Sequence, residues 1–72
     1  MDMRRLVGTN VRKFRLAREL TQERFAELSG LSQQYISDLE RGRRNPTVVT
    51  LYEIAVALAV QPVDLLAPAS DE

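Results

Sequence analysis

The chain has 72 residues, 44% of them hydrophobic, and its ten basic and ten acidic side chains cancel to a formal net charge of zero. That describes one small domain with a modest core and no large catalytic cleft. It contains neither cysteine nor histidine, which excludes disulfides and thiolate metal sites, removes the commonest general base, disfavours an enzyme and leads us to expect no cofactor and no metal.

No hydrophobic segment follows the N-terminal charges of MDMRRLVGTN, and the longest apolar run, Ile54 to Val60, is far too short to cross a bilayer. No membrane association and a cytoplasmic location are therefore expected. The charge is unevenly spread: residues 1–46 hold all ten basic residues and six acids, a net of +4, while residues 47–72 hold four acids and no base, a net of −4. A basic face for a polyanion and a merely uneven salt-bridged surface both fit this split.

In chain order, the periodicities predict an all-α chain with nothing that alternates like a strand. Asp2 caps a first helix in which Val7, Val11 and Phe14 recur at i, i+4 and i+7, with Arg12, Lys13, Arg15 and Arg18 between or beside them. Thr21 caps a second helix, and Leu20 before it is placed to staple onto Phe25; the apolar set is Phe25, Ala26 and Leu28, and Gly30 ends the helix. The third helix repeats the device, with Leu31 stapling onto Ile36, Ser32 as cap and Gly42 as a left-handed C-terminal stop. The second and third helices, joined by Gly30-Leu31-Ser32, form a helix-turn-helix unit. Asn45-Pro46-Thr47 breaks the chain before a fourth helix with Val48, Leu51, Ile54, Ala55 and Leu58 on its buried face. Pro62 opens a short fifth helix, Pro62 to Leu66. The domain is expected to span residues 1–67, with residues 68–72 as a frayed tail.

The run LTQERFAELSGLSQQYISDLERGRRNPTVVTLYEIAVALAVQPVDLL resembles the Cro and phage-repressor type of helix-turn-helix protein, the XRE family. The elements that carry the likeness are Leu20-Thr21-Gln22, Ile36-Ser37 followed by Leu39-Glu40, Gly42 with Asn45-Pro46, and the Leu51 to Leu58 helix, and the likeness extends from about Val7 to Leu66. It implies a compact five-helix domain whose third helix enters the DNA major groove while the second crosses above it. It places Gln22, at the head of helix two, as a phosphate contact, and it implies a salt bridge between Arg15 and Glu40. Two departures stand at the C-terminal end, where members of this family often form their dimer contact: Ala59 where glycine is usual, and Gln61 as a poor cap.

Ile36 and Leu39 must face the core, which leaves Gln33, Gln34, Ser37, Asp38 and Arg41 outward. A side-chain amide donates and accepts at once and so matches N6 and N7 of adenine. Gln33 and Gln34 are accordingly expected to read bases, with solvated surface filler as the competing role, and Ser37 and Asp38 stand beside them. Asp38 either accepts from N4 of cytosine or pairs with Arg41 or Arg12. Ser32, Tyr35, Arg41, Arg43, Arg44, Asn45 and Thr50 are the candidate backbone contacts; Arg44 is also within reach of a groove edge, and Tyr35 serves equally well as a packing residue. Val60, Val63, Leu65 and Leu66 are expected to divide between a dimer interface and the core.

The expected function is a sequence-specific, DNA-binding transcriptional regulator acting on a palindromic operator as a homodimer. With no room for a sensor domain, its control would come from concentration, cooperativity or a protein partner. Small members of the family include phage regulators, controllers of restriction-modification operons and antitoxins. The competing expectation is a protein-interaction module that uses the same fold to bind or inhibit another regulator.

Overall fold

The computed structural model describes residues 2–68. Four α-helices, α1 (Met3–Ala17), α2 (Gln22–Ser29), α3 (Gln33–Glu40) and α4 (Val48–Leu58), are followed by one 3-10 turn, Pro62–Leu65. No strand occurs among the described residues.

Each helix starts where a side chain can satisfy its free amides. Asp2, Thr21, Ser32 and Thr47 accept hydrogen bonds from the backbone N–H of Arg4, Arg24, Tyr35 and Thr50, at 3.0 to 3.1 Å. The stops differ. Gly30 and Gly42 take left-handed conformations after α2 and α3, whereas Glu19 and Ala59 do the same work after α1 and α4 with φ of 59° and 58°. A Cβ in that region costs about 1–2 kcal/mol, so both turns must be held by packing elsewhere.

α2 and α3 have eight residues each, too few to be stable alone in water. The core holds them: Phe25, Ile36, Leu39, Ile54, Leu58 and Leu65 are fully buried, joined by Val7, Val11 and Ala55. Leu20 and Leu31, each just ahead of a helix cap, pack half-buried against this cluster. α1 lies along α3, α2 packs on α3 and α4, and the 3-10 turn closes against α4 and α1. α1 approaches α3 so closely at Gly8 that a methyl group there would run into the backbone carbonyls of Leu39 and Glu40.

Several expectations need correction. The fifth element is a four-residue 3-10 turn rather than an α-helix. Its i→i+3 bonds run from Asp64 N–H to the Gln61 carbonyl and from Leu66 N–H to the Val63 carbonyl, at 2.9 and 3.0 Å. The Asp64 carboxylate reaches back to accept from the Gln61 N–H at 2.9 Å, which starts the turn without a Gln61 side-chain cap. Asn10 ends it: its amide nitrogen, in a side chain 1% exposed, donates to the carbonyls of Leu65 and Ala67 at 2.9 and 2.8 Å. Leu28 and Val48 are exposed rather than buried. Leu65 lies wholly in the core, because the turn points it inward between α1 and α4, and it is withdrawn from the dimer-contact set. Pro68 is the only described residue of the expected tail; Ala69 to Glu72 lie outside the described residues.

Substituting Gly8 by Ala should destabilise the domain by up to about 2 kcal/mol, because overpacking against a backbone costs about 1–3 kcal/mol and the better helix propensity of Ala returns only about 1. Urea denaturation should show a lower midpoint with an unchanged slope.

Candidate nucleic-acid interface

The base of the site is an ion pair between α1 and α3. Arg15 donates from Nε to Glu40 Oε2 at 2.6 Å and from Nη2 to Glu40 Oε1 at 3.0 Å, a two-point contact between side chains only 9% and 4% exposed. The third guanidinium nitrogen is also used. Arg15 Nη1 donates to the Leu20 carbonyl at 2.7 Å, anchoring the turn into α2, and Gln22 Nε2 donates to Glu40 Oε1 at 3.1 Å. No buried side-chain nitrogen or oxygen among the described residues lacks a partner. A buried ion pair is stabilising only when its lone pairs and protons are satisfied in this way.

Gln22 is therefore held at the head of α2 by one of its two amide hydrogens, with its oxygen and second hydrogen uncommitted. Together with Gln33, Gln34 and Ser37 it lines a polar hollow of about 300 Å³ at the entrance of α3. Gln33 and Gln34 are exposed and Ser37 is half-buried. Ser32, also exposed, spends an acceptor lone pair on the Tyr35 N–H and keeps its hydroxyl hydrogen free. Thr50 is half-buried and accepts from the Thr47 hydroxyl at 3.1 Å.

One turn further along α3, Asp38 departs from the pairing expected with Arg41 or Arg12. Its Oδ1 accepts from Gln34 Nε2 at 3.0 Å and its Oδ2 from Arg44 Nη2 at 3.3 Å. The reason is the sharp turn at Gly42: the Arg43 N–H donates back to the Asp38 carbonyl at 2.9 Å, folding the loop over the helix end and bringing Arg44 above it. The Arg44 guanidinium lies 4.9 Å from the centre of the Tyr35 ring. Burial pushes the Tyr35 phenol above its ordinary value, with Arg44 pulling weakly the other way, so the hydroxyl stays protonated and able to donate at neutral pH. Arg41, Arg43 and Asn45 are exposed around the same turn.

Two further arginines adjoin this loop without any periodicity to announce them. The Arg5 side chain and backbone lie against Gly42, and Arg4 borders a small dent shared with Asn45 and Pro46. The adjacent pair Arg4-Arg5 ahead of the first apolar stripe was the available signal. Leu66 borders the same dent; Val63 and Leu66 are 66% and 40% exposed and Val60 is half-buried. Val49, Tyr52 and Val56 add an outward apolar stripe on α4 at i, i+3 and i+7.

A capped helix pair with an amide-lined entrance and an arginine-rich following loop defines a class, and the chain belongs to the helix-turn-helix family HTH_3, which matches residues 11–65. It is an XRE-type member. It is 58% identical over 71 residues to the HTH-type transcriptional regulator y4dJ of Sinorhizobium fredii, a match that covers 99% of this chain and 92% of the relative. It is also 45% identical over 58 residues to the control protein C.SmaI of Serratia marcescens, covering 81% and 69% of the two chains. Among solved structures it superposes with a TM-score of 0.82 and 35% identity on the restriction-modification controller protein C.Esp1396I, crystallised as a tetramer with its natural 35 base-pair operator, over 90% of this chain and 86% of that one.

Replacing Glu40 by Gln should cost about 3–5 kcal/mol, because it strands the Arg15 charge in the interior. The double substitution Arg15→Met with Glu40→Leu should cost less than either single loss, although it orphans the Leu20 carbonyl. Thermal unfolding of the three variants gives the comparison.

Proposed function

We propose that the protein is a sequence-specific, DNA-binding transcriptional regulator that binds a palindromic operator as a homodimer, acts in the cytoplasm and carries out no chemistry of its own. The observation that carries this reading is the entrance of α3, where Gln22, Gln33, Gln34 and Ser37 present amides and a hydroxyl with no charge among them, flanked by exposed Arg41, Arg43 and Arg44. Neutral donor-acceptor groups suit base edges, and guanidinium groups suit phosphates.

In this reading α3 lies in the major groove, Gln33 and Gln34 meet bases, Ser37 reads alongside them, and Gln22, Ser32, Tyr35, Arg41, Arg43, Arg44, Asn45 and Thr50 hold the backbone. Arg4 and Arg5 extend that rim. The longest dimension of the domain is 31 Å, short of the roughly 34 Å between successive major-groove faces, so one copy reads one half-site. A second copy roughly doubles the readout, which a domain this small needs against the excess of random sites. Val60, Val63 and Leu66 supply apolar surface for that contact.

A protein-interaction module remains the second reading, favoured by the outward Val49, Tyr52 and Val56 stripe. A gel shift with the DNA upstream of its own reading frame separates the two: the regulator gives a salt-sensitive, sequence-selective shift, and the interaction module gives none.

Ala at Gln33 or Gln34 should lose about 1–3 kcal/mol on the operator and relax preference at one base pair per half-site. Ala at Arg43 or Arg44 should weaken operator and random DNA alike and flatten the salt dependence by a slope of about one. Selection from a random duplex pool, combined with titrations at several salt concentrations, reports both effects.

Glu at both Val63 and Leu66 should give a folded monomer with much weaker operator binding, whereas Leu65 must be left intact because it holds the core. Sedimentation showing an undisturbed dimer would move the interface to α4.

A further inference from the structure

Asp38 is the one acidic side chain on the presented face of α3, and repulsion from phosphate argues against it there. Its geometry supplies a reason for its presence. Both carboxylate oxygens are in use, one on the Gln34 amide at 3.0 Å and the other on the Arg44 guanidinium at 3.3 Å, while Arg44 lies over the Tyr35 ring. A carboxylate only accepts, so the nitrogen of the Gln34 amide must face Asp38 and its flip is settled by chemistry. One amide hydrogen is consumed; the oxygen and the second hydrogen remain, which is the pair an adenine edge requires. The same carboxylate opposes the Arg44 charge at the point where a phosphate would otherwise draw it.

We propose that Asp38 is a positioning residue for specificity: its carboxylate fixes the orientation of the Gln34 amide toward a base edge and offsets the charge of Arg44, sharpening the preference for one base while weakening adhesion to random DNA. It does not itself read a base. The inference rests on the DNA-binding reading above. It assigns the acidic residue a role that neither the regulator class nor the basic rim requires.

The test compares the full-length wild type with Asp38→Ala, Asp38→Asn and Gln34→Ala, first by thermal unfolding and then by random-pool selection and salt titration on a non-operator duplex. Asp38→Ala and Gln34→Ala should relax the same base-pair position in each half-site, lowering discrimination there by roughly tenfold. Asp38→Ala and Asp38→Asn should bind random duplex more tightly than wild type, because the phosphate contact of Arg44 is then made without an opposing carboxylate. Asp38→Asn preserves the side-chain volume and serves if the alanine variant does not fold.

If the wild type selects no motif, the regulator reading fails and the role of Asp38 falls with it. If the wild type selects a motif and the Asp38 variants return the same motif with the same affinity for random duplex, the positioning role alone is refuted. Loss of a G·C preference at a position that Gln34→Ala retains would show Asp38 reading cytosine directly and would overturn the proposal.

Discussion

The domain is organised around one buried ion pair. Arg15 and Glu40 come from helices that share no sequence neighbourhood, and their two-point contact fixes both the distance and the rotation of α1 against α3. Alternatives are poor, because any sliding would leave a charge in the interior without a partner. The surplus hydrogen-bonding capacity of the pair is directed outward, through Leu20 into the turn before α2 and through Gln22 onto the surface. A few buried atoms thus connect the core to the amide-lined entrance of α3, and Gly8 permits the approach by carrying no side chain.

Legibility in the sequence follows the range of the interaction. Caps and stops at Asp2, Thr21, Ser32, Gly30 and Gly42 are readable because each involves residues two or three apart, and the stripe through Val7 and Val11 is readable because 3.6-residue periodicity is local. Arg15 and Glu40 were reached only through a family likeness, since nothing in their own neighbourhoods identifies one as the partner of the other. Asp38 pairs with Arg44 rather than Arg41 or Arg12 because the pairing depends on how the Gly42 turn folds back, which no helical spacing encodes. Leu28 and Val48 were placed inside on apolar character alone. A domain this small has too little interior to hold all its apolar residues, and helix geometry does not say which are left out. The α4 sequence is apolar on almost every side, so the outward stripe of Val49, Tyr52 and Val56 was hidden by its own uniformity. Leu65 and Leu66 are adjacent, and only the tight winding of a 3-10 turn decides which of them points inward.

A formal charge of zero conceals a strongly polar molecule. Arg4 and Arg5 gather with the arginines of the Gly42 loop, while residues 47–68 contribute only Glu53 and Asp64 and no base. A dipolar domain of this kind is turned by the field of a polyanion before contact, so the basic rim arrives first. It achieves this without the indiscriminate attraction that a large net positive charge would bring.

The Asn10 contacts with the last turn have a consequence for the order in which the chain matures. The side chain of Asn10 sits on the buried stripe of α1, and its two acceptors lie 55 and 57 residues later. Until those carbonyls have left the ribosome, the Asn10 amide has only water to bond on the face that α1 must bury, and Leu65 has not yet filled the space beside it. The buried face of the first helix made is therefore completed by the last turn made. A truncated or nascent chain lacking the last turn leaves the space of Leu65 open and the Asn10 amide without its carbonyls, so the end of the chain closes the domain that its beginning starts.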